Sequence, residues 1–166
     1  MLNDIEKFSV LIIDPSPHMG SLIAQMLRAL KLRAIQECSD AKSAVRLCAG
    51  RGFDVVIIAD KLGTLTGAEF VRTLRSQVDC PNREVAVIMT ASAPDAAEIA
   101  AARDAGITEF LRKPFAAEHL KTRLVSIAAT PRGFVTAPTY AGPDRRRKAG
   151  GPRGDERRAA TETDAG

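Results

Sequence analysis

Tryptophan is absent from the 166 residues, and one tyrosine and six phenylalanines make up the whole aromatic complement. So few rings argue against the stacking platforms on which single-stranded nucleic acid is commonly held. Cysteine is scarce too: Cys38, Cys48 and Cys80 form an odd set with no C-x-x-C spacing. That argues against a disulfide framework or a zinc site and predicts buried or idle thiols in a reducing compartment. No apolar run approaches membrane-spanning length. The opening residues, MLNDIEKF, place acids where a secretory signal would carry a basic and then an apolar region. A soluble, cytoplasmic protein without a membrane partner is expected.

What is present is unevenly spread. Residues 1–130 carry 16 basic against 15 acidic side chains, and residues 131–166 carry 8 against 5. The formal net charge of +4 therefore belongs largely to the C-terminal segment. That segment is rich in Gly, Pro, Arg and Ala and shows neither helical nor strand periodicity. The expected division is an N-terminal lead over 1–7, a folded domain over 8–128, and a disordered Arg/Gly/Pro-rich tail over 129–166.

Between these ends, short apolar runs alternate with amphipathic stretches. The runs are FSVLIID (8–14), LRAIQEC (32–38), FDVVIIA (53–59), EVAVIMT (84–90) and EFLRK (109–113). Three are nearly continuous in Val, Ile and Leu, the pattern of strands covered on both faces. Helical periodicity predicts helices over 17–31, 41–49, 68–78, 94–105 and 115–127, with Ser16 and Pro17 opening the first and Gly106 closing the fourth. Five strands alternating with five helices predict an α/β domain, a doubly wound five-stranded parallel sheet between two helical layers. Ligand chemistry in such sheets gathers at the carboxyl ends of the strands. This singles out Asp14, the pair Ala59 and Asp60, Thr90 and Lys113, at four strand ends.

These residues, with the segments DAGITEFLRKPF (104–115), MTA (89–91) and FDVVIIADKLGTLTGAEFVRTLR (53–75), resemble the receiver domain of bacterial two-component response regulators over about three-quarters of the chain. The resemblance implies a flavodoxin-like strand order, 2-1-3-4-5, and a role in phosphorelay signalling without enzymatic activity of its own. In that family an aspartate ending the third strand accepts a phosphoryl group, two acids after the first strand help to bind Mg²⁺, a lysine contacts the phosphoryl oxygens, and a hydroxyl and an aromatic residue respond. Carried over, Lys113 and the following Pro114 match the lysine–proline pair, often cis in the family. Thr90 matches the switch hydroxyl, and Phe110 the switch aromatic. The acidic pair becomes Asp14 and Pro15, and Pro15 offers neither carboxylate nor N–H. The acceptor position falls on Ala59, whether counted from Asp54, five residues earlier, or from Gly67, eight residues later. Asp60 is one place beyond.

The expectation is thus a degenerate receiver that works by protein binding, with Asp14 at most a vestigial metal ligand and no cofactor. The family's usual docking surface would lie roughly over 94–127. Expected partners are other signalling proteins, a histidine kinase or a phosphotransfer protein among them; a homodimer is left open. The alternative is a phosphoacceptor receiver using Asp60, and only that alternative calls for Mg²⁺. A third expectation rests on the tail. Tyr140, Arg145, Arg146 and Arg147 form a short linear motif in GPDRRR context, able to grip carboxylates or phosphates. Nucleic acid is the weaker reading, because Asp144, Asp155 and Glu156 dilute the basic field. His18 and His119 are read as surface histidines rather than relay residues.

Overall fold

The computed structural model describes residues 2–146. The chain runs α1 (Leu2–Ile5), β1 (Ser9–Ile13), α2 (Pro17–Ala29), β2 (Ala34–Cys38), α3 (Ala41–Gly50), β3 (Val55–Ala59), β4 (Lys61–Leu62), β5 (Leu65–Thr66), α4 (Gly67–Ser76), β6 (Ala86–Ala91), α5 (Ala96–Ala105), β7 (Glu109–Arg112), α6 (Ala117–Ala129), β8 (Phe134–Ala137) and β9 (Tyr140–Pro143). The main sheet is parallel with order β2-β1-β3-β6-β7. Once the short ribbons are set aside, this is the expected 2-1-3-4-5 order. Each of the five expected strands and five expected helices is present, with shifted ends.

Alternation along β1 decides how the layers close. Val10 and Ile12 join Ile23 and Leu27 of α2 and Leu120 and Leu124 of α6 in one buried cluster. Leu11 and Ile13 face the other way, into a cluster with Phe70, Val71 and Leu74 of α4 and Ala102 and Ala105 of α5. All five residues of β3 are buried, as its continuous Val/Ile run requires.

Local chemistry sets the helix starts. The Ser16 hydroxyl accepts from Met19 N at 3.2 Å with Pro17 in the first turn of α2. Asp40 accepts from Ser43 N at 2.7 Å. Thr66 with Glu69, and Asp95 with Glu98, form capping boxes. The second box moves the start of α5 to Ala96, leaving Pro94 outside the helix.

Two expected boundaries are corrected. The lead contains α1, whose Ile5 is 1% exposed and packs in the α2–α6 cluster. Two apolar residues, Leu2 and Ile5, on a four-residue helix are too few to give a periodicity to read. The second correction is in the tail. The chain leaves α6 at Ala129, turns through Thr130–Gly133, and forms an antiparallel hairpin, β8–β9, seated on α4 and α5. The remaining disordered-tail expectation, residues 147–166, lies outside the described residues.

The hairpin is held by a close backbone contact and a buried cation. Gly106 ends α5 in the left-handed region, at φ 97°. A Cβ there would meet Ala141 O at 2.6 Å, and a Cβ on Gly142 would meet the Gly106 Cα at 2.7 Å. Arg75 is 1% exposed. Its guanidinium donates to Gly106 O at 2.8 and 3.2 Å and to Arg83 O at 2.6 Å, and it lies under the Phe134 ring, 5.7 Å from the centroid. Burial lowers its pKa to about 10, which leaves it charged at neutral pH. Gly106→Ala should therefore both strain the helix end and push the hairpin away. We expect a loss of roughly 2–4 kcal/mol in urea unfolding, with faster tryptic cleavage at Arg132 and Arg145. Unchanged cleavage would show that the hairpin does not depend on this contact.

Candidate functional site

The carboxyl ends of β1, β3, β6 and β7 bring the sequence-selected residues to one end of the sheet. Asp14 follows β1 and is 4% exposed. Its Oδ1 accepts from Ser16 N at 2.9 Å, and its Oδ2 lies 3.3 Å from Lys113 Nζ. Lys113 is fixed by its backbone, whose N–H donates to Ala91 O at 2.8 Å, and the Lys113–Pro114 peptide is cis. The lysine and the aspartate thus satisfy each other with no third party between them.

Ala59, the last residue of β3, is buried and pairs with Thr90 across the β3–β6 ladder. Thr90 is wholly buried, yet its hydroxyl has no hydrogen-bond partner among the described residues. An unpartnered buried hydroxyl is costly and uncommon. Here it stands across the ladder from Ala59, whose side chain is a methyl group.

Asp60 continues the ladder one residue further. Its N–H donates to Thr90 O at 2.9 Å and its carbonyl accepts from Gly67 N at 2.7 Å. Its side chain is half-buried and forms no ion pair with Lys113. Between Asp60 and Gly67 lies the small β4–β5 ribbon, turning at Gly63 with φ 78°. Gly67 packs so closely that a Cβ would meet Ala59 O at 2.3 Å. The glycine used to count back to Ala59 is therefore locked to the same residue in space.

A divalent ion in this fold needs several oxygen ligands. Among the described residues no three His, Cys, Asp or Glu side chains converge on one point. At the strand ends Pro15 and Ala59 supply no oxygen from their side chains, and the Asp14 carboxylate is engaged by Lys113 and Ser16 N. The residues present do not fit Mg²⁺.

The family model for the response regulator receiver domain matches residues 10–125. The chain belongs to the response regulator receiver family. The receiver is 31% identical over 117 residues to the regulatory protein VirG of Rhizobium rhizogenes, covering 69% of this chain and 46% of that relative. It thus spans about half the length of the VirG proteins it matches. It is 25% identical over 122 residues to the chemotaxis protein CheY-3 of Vibrio cholerae, covering 74% of this chain and 92% of the relative. Among solved structures, a signal receiver domain from Pseudomonas fluorescens Pf-5 superposes with TM-score 0.66 at 25% identity, over 74% of this chain and 95% of that one. The receiver domain of a sensor histidine kinase from Pseudomonas aeruginosa PAO1 superposes equally well, at TM-score 0.66, over 75% of this chain and 99% of that one. At 24% identity it shows the fold alone; it was solved with a magnesium ion in its active-site cleft.

Of the residues carried over to this receiver, Asp14, Lys113 and Thr90 gather with Ala59, and Pro15 is exposed beside them. Phe110 is half-buried, opposite Met89 on the neighbouring strand and packed on the α3–α5 side of the sheet. Glu37 was missed by sequence reasoning. Parallel pairing of β1 with β2 sets it beside Ile12, and it lines a cavity of about 210 Å³ with Asp14, Pro17 and Cys38. It is tied to Ser21 Oγ at 3.5 Å and to Arg28 at 3.8 Å. No motif marks Glu37, because its nearness to Asp14 is a product of strand order.

The tail residues divide. The Tyr140 hydroxyl donates to Pro143 O at 2.8 Å, and burial raises its pKa. Arg145 stacks on the Tyr140 ring at 4.0 Å and binds Asp104 Oδ1 at 2.7 Å. Both are engaged with the receiver itself. Arg146 is exposed, and Arg147 lies outside the described residues. Burial pushes the Cys48 thiol up to about 12 and Cys38 to about 11, so neither is a ready nucleophile at neutral pH.

Proposed function

We propose that this receiver is a signalling component of a two-component or phosphorelay system that does not take up a phosphoryl group and acts by binding other proteins in the cytoplasm. The observation that carries the reading is the orphaned, buried Thr90 hydroxyl facing Ala59. The hydroxyl and the lysine of the family's site are kept, and the carboxylate they would serve is replaced by a methyl group. Phosphoryl transfer depends on positioning and charge neutralisation. Here Asp14, the one buried carboxylate among the described residues, neutralises Lys113 instead of a metal. The partners proposed are a histidine kinase, a phosphotransfer protein or another signalling protein.

Asp60 supports the second reading, phosphorylation at a displaced acceptor, because its carboxylate is half-buried and without a hydrogen-bond or ion-pair partner among the described residues. One measurement separates the two. After incubation with a small phosphodonor and Mg²⁺, the intact mass is expected to stay unchanged. A phosphate adduct that disappears in Asp60→Asn would overturn the first reading and establish the second. Ala59→Asp alone is expected to restore little labelling, since Pro15 still withholds a ligand; efficient labelling of that variant would show that Pro15 is not limiting.

A further inference from the structure

The β8–β9 ribbon leaves one strand edge open. Register pairs Ala137 with Tyr140 around the two-residue turn Pro138–Thr139, and Asp144 N donates to Gly133 O at 2.7 Å. In an antiparallel ladder hydrogen-bonded pairs alternate with non-bonded ones. Pairs 137/140, 135/142 and 133/144 are therefore the bonded ones. The N–H and C=O of Phe134 and Thr136 point away from β9. On the far side β9 is blocked: Gly142 is pressed on Gly106, and Pro143 has no N–H. The free edge belongs to β8, and Val135, Thr136 and Ala137 on it are exposed.

Exposed edges are ordinarily guarded by charge. In the main sheet, edge strand β2 carries Glu37 after a preceding Arg33, and edge strand β7 carries Glu109 and Arg112. The β8–β9 ribbon has no charged residue from Phe134 to Pro143, and Val135 stands 38% exposed on it. The β8 edge lacks the charged residues that guard the main sheet.

The surroundings select which strand. Arg83 lies over the Phe134 ring at 5.1 Å and reaches Thr136 Oγ1 at 3.4 Å. Its other contact is the Arg75 carbonyl, and among the described residues it pairs with no carboxylate. Of the arginines flanking the ribbon, Arg132 pairs with Glu109 at 3.7 Å and Arg145 with Asp104 at 2.7 Å, and Arg146 is exposed, so Arg83 is the cation at this edge that an incoming carboxylate can meet. A second copy would set Arg83 against Arg83. We propose that the β8 edge docks an extended, acidic segment of a partner protein by strand addition, with a carboxylate of that segment meeting Arg83. This rests on the protein-binding reading above and names the surface and the class of partner.

The test uses the full chain and two synthetic probes, peptides of alternating Val and Thr flanked at both ends by Glu in one and by Lys in the other. By fluorescence anisotropy the Glu-flanked probe is expected to bind, and the Lys-flanked probe to bind about tenfold more weakly or not at all. Binding should slow amide exchange at Phe134 and Thr136. Thr136→Pro removes one outward N–H while sparing the β8–β9 ladder and should weaken binding about tenfold, with amide exchange at Gly142 unchanged. If exchange at Gly142 rises, the variant has undocked the ribbon, and Arg83→Gln then decides, because it should equalise the two probes. The proposal is overturned if the Glu-flanked probe does not bind or gives no protection at Phe134 and Thr136. It also falls if Arg83→Gln leaves the preference intact, or if sedimentation shows self-association that Thr136→Pro abolishes. A phosphate adduct would overturn the phosphorylation-independent reading and leave this edge standing; loss of the edge leaves that reading standing.

Discussion

Lys113→Met is expected to destabilise the protein by about 3 kcal/mol, the scale for removing one partner of a buried ion pair. Asp14 has nowhere to go: it is 4% exposed, and without Lys113 the one hydrogen bond left to its carboxylate among the described residues is that from Ser16 N. Asp14→Asn should cost less, because an amide oxygen can still accept from Ser16 N and the Lys113 side chain, 17% exposed, reaches water more easily. In the double variant no buried charge is left unpaired, so the two losses should fall well short of adding. Urea unfolding of the four proteins gives the coupling. If Lys113 were retained for phosphoryl contact alone, Lys113→Met would be nearly neutral in stability, and the coupling would vanish.

Gly67→Ala is expected to cost about 3 kcal/mol or more and to lower the melting temperature by roughly 10 °C. The atom a Cβ would strike is a backbone oxygen, Ala59 O at 2.3 Å, with the Met89 methyl behind it at 3.2 Å. A side-chain neighbour could rotate aside. This carbonyl belongs to the central strand, and the next residue's carbonyl already accepts from Gly67 N at 2.7 Å. Relief requires moving the end of β3 or the start of α4. A variant as stable as the parent would show that this end of the sheet gives way easily. The counted distance from Gly67 to Ala59 would then lose its physical anchor.

The stretch from Phe53 to Gly67 shows how much was legible. Continuous Val and Ile named β3, its five buried residues agree, and the capping pair Thr66 and Glu69 opens α4 one residue before the expected start. Those signals are local, written in periods and caps within a few residues of one another. The neighbourhood of Asp14, Thr90 and Lys113 was legible for a second reason. Strand ends in a parallel sheet share one edge, so naming the strands names the site. Tyr140 and Arg145 show the opposite case. The segment's composition reads as unstructured, and what anchors it, Asp104 for Arg145 and the α5 end at Gly106 for Ala141 and Gly142, is distant in sequence.

By itself the sequence determined the five strands and helices, the receiver resemblance, and the presence of Ala59 at the end of β3 and of Pro15 just after β1. Each depends on residue type and short spacing. Only the tertiary structure decided that Thr90 is left without a partner among the described residues, that Lys113 pairs with Asp14, that Ile5 belongs to the core, and that residues 134–143 fold back to leave one uncharged strand edge open. These are contacts between segments far apart in the chain. Their energies come from burial and hydrogen-bond geometry that exist only once the layers have closed.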